Sequence, residues 1–245
     1  AFSILAHTPA LLYNKEKFLK GRCFRLRFLH LSDLHLGKRV CEFSMLDDQR
    51  FILEEVLSLL DETPVDGVLL AGDLYDKPVP PAEAVRLLDW FLTQLAARQL
   101  PVFAISGNHD SADRIAFGSA LLERSHVYVS PVFTGAPVPI LLQDEYGTVE
   151  VYLLPFLKPA TVRHIWPDEP IESYSDALAC VLRRCTPAPG ARSVLVAHQF
   201  VAGAASCESE EASVGGVDSV DASLFDGFDY VALGHLHSPQ KVGRD

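Results

Sequence analysis

Short apolar runs that stop abruptly at polar residues recur along this chain, at 26–32, 65–71, 101–106, 194–197 and 230–233, each rich in Val, Leu, Ile or Phe. Runs of this length read as buried strands. Between the first three lie stretches of helical period. In one, Phe51, Ile52, Val56, Leu57, Leu59 and Leu60 are expected to face inward behind a cap at Asp47. The other, 84–97, repeats the pattern behind Pro80 and Pro81. Strand and helix in alternation imply right-handed parallel crossovers, hence an α/β core. The middle differs: 127–129, 138–142 and 149–154 are strand-like runs broken by Pro and Gly, which predicts an antiparallel stretch or a second sheet. A helix is expected over 174–184, and 202–223, rich in Ser, Ala, Gly and acids, reads as a long mobile loop. With no internal repeat and no clear linker, one domain is expected.

Composition narrows the class. The 245 residues are 49% hydrophobic and 22% charged, the balance of a soluble globular protein. The longest uncharged run, 127–143, contains three prolines, so no membrane span is expected. The apolar N-terminal stretch has its lysines after it and not before it, the wrong order for a secretory signal, so a cytoplasmic location is expected. Cys23, Cys41, Cys180, Cys185 and Cys207 are odd in number and lack C-x-x-C spacing, which argues for free thiols in a reducing compartment. The net charge of −11 is uneven, because residues 1–40 are basic and the remainder strongly acidic. An acidic body repels polyanions at long range.

The chemistry sits at the ends of the five expected strands. The clusters read Asp33-Leu-His35, Gly72-Asp73-Leu-Tyr-Asp76, Gly107-Asn108-His109-Asp110, His198-Gln199 and Gly234-His235-Leu-His237. In a parallel α/β sheet the carboxyl ends of the strands open on one edge, so the clusters should converge. Asp33 with His35, and His235 with His237, are two apart and share a side in extended backbone. Asp73 offers two oxygens, Asn108 an amide oxygen and His198 another imidazole. Seven nitrogen and oxygen donors without cysteine suit two divalent ions such as Mn²⁺, Fe²⁺ or Zn²⁺. Two ions about 3.5–4 Å apart form a clamp for in-line displacement at phosphorus. His109 could then protonate the leaving oxygen, Asp110 could orient a histidine, and the three glycines would let the chain turn sharply.

Each element also has a bland reading: a lone D-x-H or H-x-H is common, G-D often marks a turn, and a single buried histidine is usually a satisfied core residue. Five of the nine histidines nevertheless fall in strand-end motifs. His7, His30, His126 and His164 take the structural reading, with His30 a candidate neighbour of the donors. The acids at Glu208–Glu211 read as a solvated loop.

The order D-x-H, G-D-x-x-D, G-N-H-D, H, G-H-x-H resembles that of the calcineurin-like metallophosphoesterase superfamily. The stretches FLHLSDLHLGK (28–38), LLAGDLYDKPVPPAEA (69–84), SGNHDSADR (106–114) and 213–245 resemble its SbcD family, the nuclease subunits of bacterial SbcCD complexes. The resemblance implies a metallophosphoesterase fold: a central β-sandwich of mixed sheets flanked by helices, with a dimetal site at the strand C-terminal ends. It assigns one metal to Asp33, His35, Asp73 and His237, a second to Asp73, Asn108, His198 and His235, and catalysis to His109. Asp76 stands where archaeal and eukaryotic relatives carry a second histidine, which leaves it a supporting or substrate-contacting role. Mn²⁺ is the expected ion, with Mg²⁺, Fe²⁺ or Zn²⁺ as substitutes. The implied activity is exonuclease and endonuclease cleavage of DNA ends, hairpins and single strands in repair, recombination and replication. The implied partners are an SbcC-type ATPase and a second copy within a heterotetramer. By this resemblance 26–245 is a nuclease domain cut short before its cap, and 1–25 an extension without counterpart. The alternatives are another dimetal phosphodiesterase or phosphatase of the superfamily, and a non-catalytic DNA-end scaffold.

Overall fold

A computed structural model describes residues 26–202, 204, 219–237 and 240–242. The expected extension over 1–25, most of the loop over 202–223 and Glu208–Glu211 lie outside the described residues. In chain order the elements are β1 (Phe28–Leu31), β2 (Arg39–Val40), β3 (Phe43–Ser44), α1 (Leu46–Glu62), β4 (Gly67–Ala71), α2 (Ala82–Ala97), β5 (Val102–Ile105), α3 (Ala112–Ile115), α4 (Ser119–Leu122) and β6 (Val127–Val129). There follow β7 (Ile140–Asp144), β8 (Gly147–Leu154), α5 (Pro159–Ile165), α6 (Tyr174–Leu182), β9 (Arg192–His198) and β10 (Tyr230–Gly234).

Two four-stranded sheets form the centre. The first has the order β1-β4-β5-β6 and is parallel throughout. The second, β10-β9-β8-β7, is parallel except for the β7–β8 hairpin. Phe28, Leu69, Phe103 and Ile105 of the first pack against Val151, Leu153, Val194 and Val196 of the second, so the sheets face each other across an apolar interior. Such burial drives the fold at roughly 25 cal/mol per Å² of apolar surface. The opposite face of the first sheet takes α1 and α2, and that of the second takes α5 and α6. A sandwich of one parallel and one mixed sheet flanked by helices is the architecture expected. Among the described residues no helix is long and apolar enough to cross a membrane.

The helices follow their apolar stripes. In α2, Ala84, Leu87, Leu88, Phe91 and Leu95 are buried, at helical spacing, behind Pro81 in extended conformation. In α6, Ser173 and Asp176 form a reciprocal capping box. Helix α1 departs from expectation. It starts at Leu46 without a side-chain cap, its buried positions are Gln49, Leu53, Val56, Leu57 and Leu60, and Phe51 is 59% exposed. Val56, Leu57 and Leu60 are buried as expected and Ile52 and Leu59 half-buried, but Phe51 points away and Leu53 sits over the sheet in its place. Strand β6 also joins the parallel sheet through β5 and not the later hairpin.

Candidate metal centre

The carboxyl ends of β1, β4, β5, β9 and β10 open at one rim, where the backbone leaves regular geometry. Asp33, His35, Asp73 and His235 all have left-handed φ, at 56°, 43°, 50° and 76°. Non-glycine residues in this region cost on the order of 1–3 kcal/mol each and persist where their surroundings hold them. The β1 and β4 loops hold each other. Asp33 N–H donates to Gly72 O at 3.1 Å, His35 N–H to Asp73 O at 2.9 Å and Leu36 N–H to Leu74 O at 3.0 Å.

Three overlapping donor groups result: Asp33, His35 and His237 in one cluster, Asp73, His198 and His235 in a second, and His35, Asp73 and His109 between them. In the first, His237 Nε2 lies 3.6 Å from Asp33 Oδ1 and 3.3 Å from His35 Nε2. In the second, His198 Nε2 is 3.4 Å from Asp73 Oδ2, and His198 Nε2 and His235 Nδ1 each lie 2.9 Å from Asn108 Oδ1. Asp73 Oδ2 joins the clusters, being also 3.7 Å from His35 Nε2. Its other oxygen accepts His109 N–H at 2.8 Å, so one oxygen, and not one for each side, faces both clusters.

Backbone carbonyls orient the rings. Nδ1–H of His198 donates to Ala71 O at 2.8 Å and Nδ1–H of His109 to Asp76 O at 3.1 Å, which turns each Nε2 toward the centre. His109 Nε2 stands 4.0 Å from Asp73 Oδ2. Three glycines permit the crowding. Gly72 has φ 86°, and a Cβ there would come 2.5 Å from His198 Nδ1. Gly107 and Gly234 do not have positive φ. They serve clearance and not turning, since a Cβ would strike Asp73 at one and Ala71 O at the other.

A family model for calcineurin-like phosphoesterases matches residues 26–239, across both sheets and all of these donors. The chain belongs to that family. Membership brings hydrolysis of phosphoester bonds with divalent metal ions.

The charges of this phosphoesterase fit cations. Burial works to raise Asp33, yet the hydrogen bond from His237 and the His198 charge hold its carboxyl well below the usual range. Asp73 is likewise lowered, chiefly by His198, against burial. His35 and His235 are driven down to about 4, first by burial, and so stay neutral with lone pairs to offer. His198 is the exception: burial disfavours its charge, but the Asp73 carboxylate beside it raises it to about 9. Its charge acts on both carboxylates, Asp33 and Asp73. His35 Nδ1 is buried without a hydrogen bond, with Asp76 Oδ1 3.8 Å away. Converging carboxylates and imidazoles with no lysine or arginine among the donors suit a pair of divalent ions.

Sequence reasoning missed several supports. Asp110 meets no histidine; its carboxylate accepts the N–H groups of Leu74, Tyr75 and Gly107 at 2.9–3.0 Å and so ties the β4 loop to the β5 loop. Burial pushes Asp110 up to about 6. Phe156 and Phe200 set ring edges against His198 and His235, an apolar wall that no motif announced. His30 bonds Tyr230 OH at 3.1 Å; burial brings it down to about 4, and the nearby Asp33 carboxylate works against that, so it stands beside the donors as expected.

Proposed function

We propose that this phosphoesterase is a metal-dependent DNA nuclease of the SbcD type, acting with an SbcC-type ATPase, and as a homodimer within that assembly, on DNA ends and hairpins. The observation that carries the reading is the meeting of seven donors at one rim around Asp73, with Nε2 of His109 4.0 Å from its Oδ2. The likeness of 28–38, 69–84, 106–114 and 213–245 to SbcD proteins supplies the substrate. Asp33, His35, Asp73 and His237 would hold one ion, and Asp73, Asn108, His198 and His235 the other, with Mn²⁺ the favoured metal. When bound, the ions supply Lewis-acid polarisation of the phosphodiester and of the attacking water.

The chain's own residues do the rest. Asp33 and Asp73 provide the fixed negative charge, while Phe156 and Phe200 keep bulk water from the rings of His198 and His235. His109, held at Nδ1 by Asp76 O, acts in its doubly protonated form: Nε2–H passes its proton to the leaving oxygen as the bond from that oxygen to phosphorus breaks, while the water oxygen bonds to phosphorus and gives up its own proton to solvent. Asp76 anchors that ring through its carbonyl. The ions would add four positive charges at the rim and so offset the acidic body locally.

The test uses the full chain, alone and with its SbcC-type partner, on hairpin DNA and on bis-p-nitrophenyl phosphate. Mn²⁺-dependent cleavage of DNA that stops with EDTA is expected. Hydrolysis of the small diester while DNA stays intact in both conditions would restore the reading as another dimetal phosphodiesterase. Gel shifts should show little duplex binding by the metal-free chain.

A further inference from the structure

We infer that Gln49 is a positioning residue that sets the Asp33–His35 loop for ion binding; the inference rests on the reading of Asp33, His35 and His237 as a metal site. Gln49 is a polar residue on the apolar stripe of α1, spaced at helical intervals before Leu53, Val56, Leu57 and Leu60, and only 4% exposed. Its side chain is fully engaged. Nε2 donates to His35 O at 2.7 Å and to Leu34 O at 3.2 Å, while Oε1 accepts Gly37 N–H at 3.0 Å. Two carbonyls on one side and an N–H on the other permit only this orientation of the amide.

The three bonds close around the turn in which His35 adopts φ 43° and Gly37 φ 90°. Without Gln49, two carbonyls and an N–H would be left unpaired in a buried position, and the loop could relax toward an ordinary conformation. His35 Nε2 would then swing away from His237 Nε2 and Asp73 Oδ2. Gln49 bonds none of Asn108, His198 and His235, which hang from β5, β9 and β10; the loop reaches that set less directly, through the His235 N–H on the Asp33 carboxylate at 3.1 Å and the His35 N–H on Asp73 O at 2.9 Å. Loss of Gln49 therefore acts unequally on the two ions. Outer partners of ligand loops typically change metal affinity 10–100-fold.

The experiment is calorimetric titration of the full chain with Mn²⁺ alone, on wild type, Gln49→Met, Gln49→Glu and Leu53→Ala. Gln49→Met keeps length and removes all three bonds; Gln49→Glu keeps only the acceptor. Leu53→Ala loosens the same helix stripe without touching the loop. Both Gln49 variants should bind one Mn²⁺ at least tenfold more weakly, with the other changed less, and Leu53→Ala should match wild type. Wild-type affinity for both ions in Gln49→Met overturns the inference. So does equal weakening in Leu53→Ala, or collapse of both Gln49 variants where Leu53→Ala folds, because either makes the residue a mere packing element. Failure of wild type to bind Mn²⁺ sinks instead the metal reading beneath it.

Discussion

Asp73 divides its two oxygens between backbone and centre, and this makes it the residue whose loss reaches furthest. One oxygen fixes His109 N–H and the other faces both donor clusters. Asp73→Ala should therefore abolish binding of both ions, measured as metal content after dialysis against Mn²⁺. His109→Ala removes a ring that is not needed as a donor, so ion content should stay near wild type while turnover falls about 10²–10⁴-fold, the usual contribution of a proton-transfer residue. Full activity in that variant would remove His109 from the chemistry. His198 gives a pH signature. With its value raised to about 9, the metal-free ring carries a proton on Nε2, where a cation would sit. Mn²⁺ must displace that proton, so affinity should rise as pH increases from about 6.5 to about 9, with roughly one proton released. Calorimetry in buffers of different ionisation enthalpy reads that proton directly, and its absence would take His198 out of the donor set.

At the scale of elements, the strand ends were legible because each buried run stops where a polar cluster begins, and all five expected strands are present, shifted only at their ends. All seven expected donors and His109 meet at that rim. What was not legible depends on the third dimension. Periodicity alone could not place the α1 stripe, since Phe51 and Leu53 are both apolar and only the sheet beneath decides between them. Gln49 was hidden for the same reason, its signal being a polar side chain heading the stripe. Glycines in motifs look alike in sequence, yet only Gly72 is needed for its φ, whereas Gly107 and Gly234 are needed for what lies opposite. Gly234→Ala should thus cost about 1–3 kcal/mol through overpacking against Ala71 O, measured by urea unfolding. An unchanged midpoint would mean that β10 can retreat from β4.

The whole molecule sets its stability from the same groups. His30, His35 and His235 are each lowered to about 4, so below about pH 6.5 the unfolded chain binds protons that the folded one refuses. Metal-free stability should fall as pH drops from about 6.5 to about 4, with Asp110, raised to about 6, opposing by a single proton. Above pH 6.5 the raised His198 acts in the other sense, its contribution fading as pH rises through about 9. Thermal melts in EDTA across this range should therefore peak near pH 6.5; a monotonic rise from pH 4 to 9 would contradict it. The distribution of donors between the two sheets has a mechanical consequence. Asp33, His35, Asp73 and Asn108 belong to the first sheet, and His198, His235 and His237 to the second. Ions gripped from both sides act as rivets across the open lip of a clam, so emptying the lip should let its two valves breathe there first, visible as faster amide exchange at the ends of β4 and β9 than in the hinge of packed side chains behind them.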